Sequence, residues 1–95
     1  MKGPETRLRK RIVAALEQKY PGSWIRKIHG NQFQNIGMPD LVCCFNGRFI
    51  ALEIKCPGKK GTPAQLLEIQ KIRKAGGCAG VITSIEEAME LIEND

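Results

Sequence analysis

The sequence predicts an α/β fold with a mixed β-sheet flanked by helices, in the element order αβββαβα. Two apolar runs joined by Asn46 and Gly47 have the pattern of a two-residue β-hairpin in the middle of the chain. Segments with helical periodicity precede and follow this hairpin, and a short apolar strand separates the last two helices. Strands that alternate with helices around a central hairpin imply a mixed sheet covered by helices. Because 95 residues can form one hydrophobic core, residues 1–95 are expected to be a single domain.

One helix and one strand are predicted before the hairpin. Residues 5–20 are expected to be helical because apolar side chains recur every three or four residues, and Pro21 ends the helix. Residues 24–29 alternate as a strand, in which Trp24 is expected to pack into the core. Residues 30–39 follow as a polar loop. The apolar stripe of the helix consists of Leu8, Ile12, Ala15 and Leu16.

The central hairpin is expected to pair residues 41–45 with residues 49–56, and a helix follows it. Both strand segments are apolar runs, and the short turn requires them to be antiparallel. Thr62 is placed to cap a helix over residues 63–75, because Pro63 can occupy the first helical position without losing a hydrogen bond. The buried stripe of this helix is expected to consist of Leu66, Ile69, Ile72 and Ala75.

The last two predicted elements are a strand at residues 79–83 and a helix at residues 85–93. The strand segment is short and apolar, and two glycines separate it from the preceding helix. Ser84 and Glu87 have the spacing of a capping box, which predicts that the final helix begins at residue 85.

The composition is that of a globular domain, with 42% hydrophobic and 26% charged residues. No apolar run approaches the ~20 residues that a membrane helix needs, and no secretory signal is visible at the N-terminus. We therefore expect an intracellular protein, in the host cytoplasm if it is encoded by a phage, without a membrane partner. Reduced core thiols are the expectation for the four cysteines, and their spacing does not favour zinc. They are Cys43, Cys44, Cys56 and Cys78.

Positive charge is concentrated in the first nine-tenths of the chain. The formal net charge is +5, but five of the ten acids follow residue 85, so residues 1–85 carry 15 basic and 5 acidic side chains. Such an excess suits a polyanion and, equally, a solvated basic surface. The clusters that fit phosphate contacts are Arg7, Arg9, Lys10, Arg11, Arg26, Lys27, Lys55, Lys59 and Lys60.

Three charged residues in the hairpin point to catalytic chemistry. Glu53 and Lys55 project from the same face of the second strand because side chains alternate along a strand. Asp40 opens the partner strand, so the short turn brings it towards both of them. Two carboxylates of this kind suit Mg²⁺ or Mn²⁺, with Lys55 near the phosphate that the ion polarises. The alternative is a pair of cross-strand salt bridges between the acids and Lys55.

The order of several motifs resembles a known nuclease family. They are Arg26-Lys27-Ile28-His29-Gly30, Gly37-Met38-Pro39-Asp40-Leu41, Gly47 through Lys55, Thr62-Pro63-x-Gln65, Ala75-Gly76-Gly77 and Gly80-Val81. Together they resemble the P-D…(D/E)-x-K nuclease superfamily, and in particular its VRR-Nuc branch of virus-type replication-repair nucleases. The resemblance implies a restriction-endonuclease-like fold and favours a catalytic site over the salt-bridge alternative.

The resemblance also implies roles for individual residues. Asp40 and Glu53, with the backbone carbonyl of Ile54, would hold the metal ion, and Lys55 would be the catalytic lysine. Gln65, on the first turn of the helix after the hairpin, matches a glutamine that lines the active site in the family. An ordinary exposed helix residue is the equal alternative for Gln65.

Other assignments have competing interpretations. Glu5 matches an acidic residue that often completes the metal site, but Glu5 could equally stabilise the helix N-terminus, and Glu17 is a rival in the same helix. His29, the only histidine, is expected to be a strand residue or phosphate donor rather than a catalytic base. Phe33 and Trp24 are candidates for stacking on bases, although the position of Trp24 at the edge of a strand favours the core for it.

The predicted function is metal-dependent cleavage of DNA without a small-molecule cofactor. A homodimer acting on branched DNA such as four-way junctions is expected, because two sites are needed to cut two strands of opposite polarity. The alternatives are a non-catalytic DNA- or junction-binding module and a nuclease that acts on flaps or linear DNA. The residues predicted to bind DNA are Arg7, Lys10, Arg26, Lys27, His29, Lys59 and Lys60.

Overall fold

The computed structural model describes residues 3–28 and 36–95, and it confirms the predicted order αβββαβα. One four-stranded mixed sheet is flanked by three helices. The elements are α1 (Pro4–Lys19), β1 (Trp24–Lys27), β2 (Leu41–Phe45), β3 (Arg48–Ile54), α2 (Pro63–Lys74), β4 (Cys78–Ile82) and α3 (Ile85–Glu93).

The sheet has the strand order β1-β2-β3-β4, with β1, β2 and β3 antiparallel and β4 parallel to β3. The β2–β3 turn has positive φ angles at Asn46 (52°) and Gly47 (74°), which is the conformation that the Asn-Gly pair favours. A parallel pair needs a crossover connection, and α2 provides it between β3 and β4. The hairpin turn therefore lies at one end of the sheet, and the β3–α2 loop leaves from the other.

Helices cover the two faces of the sheet. On one face, α1 and α3 pack against inward side chains of β3 such as Ile50, Leu52 and Ile54. On the other face, Ile69 of α2 packs against a smaller cluster that includes Ala51. Alternation along β3 therefore places Glu53 and Lys55 on the α2 side of the sheet.

The start of α2 is fixed against the loop that leads into β2. The Thr62 hydroxyl accepts a hydrogen bond from the Gln65 N–H at 3.2 Å, and the Gln65 side-chain oxygen accepts one from the Thr62 N–H at 2.8 Å. Gly37 has a φ of +91°, and a side chain there would lie 2.5 Å from the Ala64 carbonyl oxygen. This close approach holds the N-terminus of α2 beside the segment that carries Asp40.

Three residues that were predicted to be buried are exposed. Trp24 is 48% exposed because it lies on the edge strand β1, whereas the main sheet contacts of α2 are with β3 and β4. Leu66 is 46% exposed, since the inward position four residues before Ile69 belongs to Gln65, which is half-buried. Ala75, at the end of α2, is also exposed, so the predicted stripe is wrong at both of its ends.

Smaller differences concern element ends and caps. The strand predicted for residues 24–29 ends at Lys27, whereas His29 and Phe33 lie outside the described residues. The strand predicted to reach residue 56 ends at Ile54. Ser84 caps α3 by accepting from the Glu87 N–H at 3.0 Å, but the Glu87 carboxylate accepts from Thr83 instead of completing the box with Ser84.

All four cysteines are free thiols, but only two of them are core residues. Cys43 and Cys78 are buried, as predicted. Cys44 is exposed on the part of the sheet that α2 leaves uncovered, and Cys56 is half-buried after the end of β3. Within residues 3–28 and 36–95, no helix combines the length and the apolar character needed to cross a bilayer.

Candidate active site

The hairpin register places Asp40 opposite Glu53. The last β2–β3 pair is Leu41 with Leu52, so the next pair outwards is Asp40 with Glu53. The Asp40 carboxylate accepts a hydrogen bond from the Ile54 N–H at 3.0 Å, and the Asp40 carbonyl accepts one from the Ile28 N–H at 2.8 Å. These two bonds fix Asp40 at the open end of the hairpin, between β1 and β3.

Glu53 is a buried acid without a full set of partners. Glu53 is 2% exposed to solvent, and it is the one buried charged side chain among the described residues. One carboxylate oxygen, Oε1, has no hydrogen-bond partner in the part of the chain that the structure describes. A buried carboxylate in this state is costly unless a ligand or a proton satisfies it.

The environment of Glu53 strongly favours its protonated form. Its pKa is raised from 4.5 to about 8, and burial is the largest cause. The negative charge of Asp40 and a hydrogen bond between the two carboxyls raise the pKa in the same direction, and Glu5 adds a smaller effect. Lys55 lowers the pKa without reversing the shift. Glu53 is thus held against a second acid in an environment that disfavours its ionisation.

Lys55 lies on the same face of the hairpin as Glu53. Its Nζ is 3.7 Å from Glu53 Oε2, which is an ion-pair distance but longer than a normal hydrogen bond. The Lys55 backbone N–H donates to the Ile82 carbonyl at 3.0 Å, so β4 holds the base of the side chain in place. Asp40, Glu53 and Lys55 therefore converge, as the alternation of the hairpin predicts.

A cleft of about 220 Å³ opens beside Asp40 at the N-terminal end of α1. Its lining residues are Glu5, Thr6, Arg9, Lys27, Asp40 and Ile54. Glu5 thus lies at the site, whereas Glu17 is exposed near the other end of α1, about 18 Å further along the helix axis. Thr6 is absent from the predicted site, and Arg9 was predicted only as one of a basic cluster that fits phosphate contacts. Its position one helical turn after Glu5 indicates that the two side chains share one side of α1.

The donor set of the site consists of two facing carboxylates. Among the described residues, no group of three or more His, Cys, Asp and Glu side chains is arranged to hold a metal ion. Asp40 and Glu53 are oxygen donors, and the Ile54 carbonyl points to the same side as the Ile54 N–H that binds Asp40. Hard cations such as Mg²⁺ use one or two carboxylates and retain several waters, so this set has the chemistry of such a site.

Gln65 lies on the first turn of α2, close to the loop before Asp40. Its side-chain oxygen is occupied by the Thr62 N–H, which fixes the side chain in the capping box. Gln65 is half-buried and Gly37 contacts the backbone beside it. The structure therefore places Gln65 beside Gly37, three residues before Asp40, and gives it a structural role at the helix start.

The residues predicted to bind DNA are distributed over α1, β1 and the β3–α2 loop. Lys27 lines the cleft, whereas Arg7 and Lys10 are exposed on α1. Arg26 is exposed on the edge strand, where its guanidinium lies 4.8 Å from the centre of the Trp24 ring. Lys59 and Lys60 are exposed in the loop after β3, four and five residues beyond Lys55. His29 lies outside the described residues.

Known proteins are similar to this chain in sequence and in fold. Residues 1–86 match the VRR-NUC domain family. A protein of Acyrthosiphon pisum secondary endosymbiont phage 1, named "Putative nuclease p44", is 38% identical over 65 residues, covering 62% of this chain and 70% of that protein.

Three solved structures superpose on the chain. One VRR-NUC domain is 30% identical, with a TM-score of 0.76 and 94% of each chain covered. A second VRR-NUC domain protein is 25% identical, with a TM-score of 0.78, 98% of this chain covered and 88% of the other. Hjc of Archaeoglobus fulgidus, a Holliday junction resolvase, shares the fold at 18% identity and a TM-score of 0.63, covering 83% of this chain and 67% of that one. With the family matched over residues 1–86, this chain belongs to the VRR-NUC domain family of nucleases.

Proposed function

We propose that this nuclease is a divalent-metal-dependent DNA endonuclease whose catalytic residues are Asp40, Glu53 and Lys55. The observation that carries the proposal is the pair of opposed carboxylates, with a buried Glu53 oxygen that lacks a partner among the described residues. A purely structural cluster would not need to bury an acid against another acid. A cation held by these acids would offset the desolvation cost and the repulsion between them.

The residues present fit Mg²⁺ or Mn²⁺. Asp40 and Glu53, with the Ile54 carbonyl, would hold the ion, and Glu5, which lies in the adjoining cleft, would complete the metal site. When bound, the ion polarises the scissile phosphate and lowers the pKa of a coordinated water. Because one of the two acids is largely protonated in the free protein, binding of the ion is expected to release a proton.

Lys55 is proposed to position the attacking water and to counter the charge that develops on phosphate. Its ammonium is near Glu53, and β4 fixes its backbone, so it presents a cation at the edge of the carboxylate pair. Hydrolysis forms a bond from the water oxygen to phosphorus, breaks one phosphate ester bond and leaves a phosphate monoester and a hydroxyl. Gln65 is proposed to line the same site from the start of α2.

DNA is proposed to approach over the open end of the hairpin. The basic residues around that end include Lys27 in the cleft and Lys59 and Lys60 in the β3–α2 loop. Their side chains would contact backbone phosphates and carry little sequence information. The exposed Arg7, Lys10 and Arg26 would extend the contact along α1 and β1. His29 is proposed as a further phosphate donor.

The preferred substrate is proposed to be branched DNA, cut by a homodimer. One domain of this size carries one candidate site, and two sites related by a two-fold axis would cut both strands in one encounter. The fold that the chain shares with a Holliday junction resolvase supports this choice of substrate. A four-way junction has the matching approximate two-fold symmetry. A protein surface that contacts the DNA backbone suits recognition of its shape.

The deciding experiment compares plasmid, linear duplex, flap and four-way junction DNA with Mg²⁺, Mn²⁺ or EDTA. Cutting only with a divalent metal is expected, and Asp40→Asn, Glu53→Gln and Lys55→Ala should each reduce the rate by roughly 10³-fold or more. Lys74→Ala removes a charge at the far end of α2 and serves as the matched control. A folded Glu53→Gln variant with full activity would overturn the catalytic assignment.

Substrate preference and assembly are tested separately. Light scattering at micromolar concentration should give the mass of a dimer, and the junction should be cut faster than the linear duplex. A monomer, or equal rates on linear and branched DNA, would leave the metal-dependent nuclease in place and remove the dimer and junction proposals.

A further inference from the structure

Arg9 is a half-buried cation in the cleft beside Asp40. It lines this cleft together with Glu5, one helical turn before it on α1. Glu and Arg at this spacing commonly form an ion pair, yet the two side chains are not paired. Within the described residues, no hydrogen bond or ion pair engages the Arg9 guanidinium. Its five donors are therefore available to a ligand that enters the cleft.

The other basic side chains of α1 do not share this position. Arg7 and Arg11 line a separate cleft, on the opposite flank of the helix near Cys56. Lys10 is exposed and lines neither cleft. Since the core stripe fixes the rotation of α1, Arg9 is the one arginine of this helix that the fold directs to the carboxylate site.

Lys27 is the second cation in the cleft, but it is already engaged. Its Nζ donates to the Ile28 carbonyl at 2.6 Å. Arg9 and Lys27 together balance the two cleft carboxylates, Glu5 and Asp40, so the lining is neutral overall. A phosphodiester carries one negative charge, and removing Arg9 would leave the cleft repulsive to it. The planar guanidinium can also bind two phosphate oxygens at once, which a single ammonium cannot do in the same geometry.

Building on the proposed nuclease function, we propose that Arg9 binds the non-bridging oxygens of the scissile phosphodiester in the cleft next to Asp40. Lys27 provides the second positive charge on the same side, and Lys55 lies at the carboxylate pair. Negative charge on the phosphate grows as hydrolysis proceeds, so the contact strengthens towards the transition state. Arg9 thus affects the rate of cutting more than the affinity for DNA.

The test compares Arg9→Ala and Arg9→Lys with the wild type, on whichever of the four DNA substrates the wild type cuts fastest. Arg9→Ala should lower kcat/KM roughly 10- to 100-fold, mainly through kcat, because a hydrogen bond to a charged group is lost. Arg9→Lys should restore part of the rate. DNA affinity measured with Ca²⁺ in place of Mg²⁺ should change only a few-fold. Lys74→Ala, which removes one charge far from the site, should match the wild type.

Each outcome has a distinct meaning. An Arg9→Ala variant with wild-type kcat and only weaker, more salt-sensitive binding would make Arg9 one more surface phosphate contact and overturn the proposal. Equal rates for Arg9→Ala and Lys74→Ala would do the same. A wild type that cuts none of the substrates with any metal would remove the proposed nuclease function and, with it, this role. Thermal unfolding of each variant verifies that the fold is retained.

Discussion

Replacing Glu53 with glutamine is expected to stabilise the metal-free protein at neutral pH. Glu53 is 2% exposed and faces Asp40 across the hairpin. The folded state therefore resists its ionisation, and the pKa is raised from 4.5 to about 8, first by burial and then by Asp40. Glutamine has nearly the same shape without the charge, and its amide can donate to the Asp40 carboxylate.

The sign and size of the effect follow from the two pKa values. Between pH 4.5 and about 8, the folded state retains a proton that the unfolded chain has lost, so stability falls as the pH rises. The free energy of unfolding falls by up to about 1.4 kcal/mol per pH unit in this range. The total loss is about 3 kcal/mol at pH 7 and about 5 kcal/mol above pH 8. Below pH 4.5 both states are protonated at this residue, and the cost disappears.

Urea unfolding in EDTA at pH 5, 6, 7 and 8 measures this difference. The free energy of unfolding of Glu53→Gln should exceed that of the wild type by a margin that grows with pH, from under about 1 kcal/mol at pH 5 to about 3 kcal/mol at pH 7. Glu17→Gln makes the same change at an exposed site on α1, and its free energy of unfolding should vary with pH in parallel with that of the wild type. Parallel curves for wild type and Glu53→Gln would refute a buried, proton-retaining Glu53.

Three further predictions concern metal, salt and backbone. Mg²⁺ should raise the melting temperature of the wild type but not of Asp40→Asn, because a ligand that binds only the folded state stabilises it; equal shifts would argue against a site at Asp40. Removing Lys59 and Lys60 together should reduce the salt slope of DNA affinity by about two, and an unchanged slope would place the DNA elsewhere. Gly37→Ala should lower the free energy of unfolding, measured in urea, by a few kcal/mol more than Gly22→Ala does. Both glycines have positive φ, but only at Gly37 would the new methyl group lie 2.5 Å from backbone. Equal losses of stability would contradict that contact.

The hairpin part of the site could be predicted from sequence because its geometry is local. A two-residue turn at Asn46 and Gly47 fixes the register of every pair outwards, which places Asp40 opposite Glu53. Alternation then places Lys55 beside Glu53. Neither step needs knowledge of the helices, and the structure has the same arrangement.

Burial on the two faces could not be predicted in the same way, because it depends on where α2 lies. An apolar pattern on α2 admits Leu66 as well as Ile69, and only the docked helix shows that Gln65 takes the inward position. Trp24 is exposed for a related reason, since α2 is the crossover between β3 and β4 and does not extend over β1. Propensity and periodicity describe single elements, whereas these two outcomes are set by packing between elements.

The same limit explains why the sequence places Arg9 in a basic cluster that fits phosphate contacts but does not assign it to the active site. The stripe that begins at Leu8 fixes which side of α1 faces the core, but it does not say in which direction the helix crosses the sheet. The two flanks of the stripe carry Glu5 with Arg9 on one side and Arg7 with Arg11 on the other. A reversed crossing would have carried the N-terminal end of α1, with both pairs, away from Asp40. Since Glu5 and Arg9 share a flank, a helix placement that brings Glu5 to the proposed metal site also brings Arg9 towards the proposed position of the phosphate.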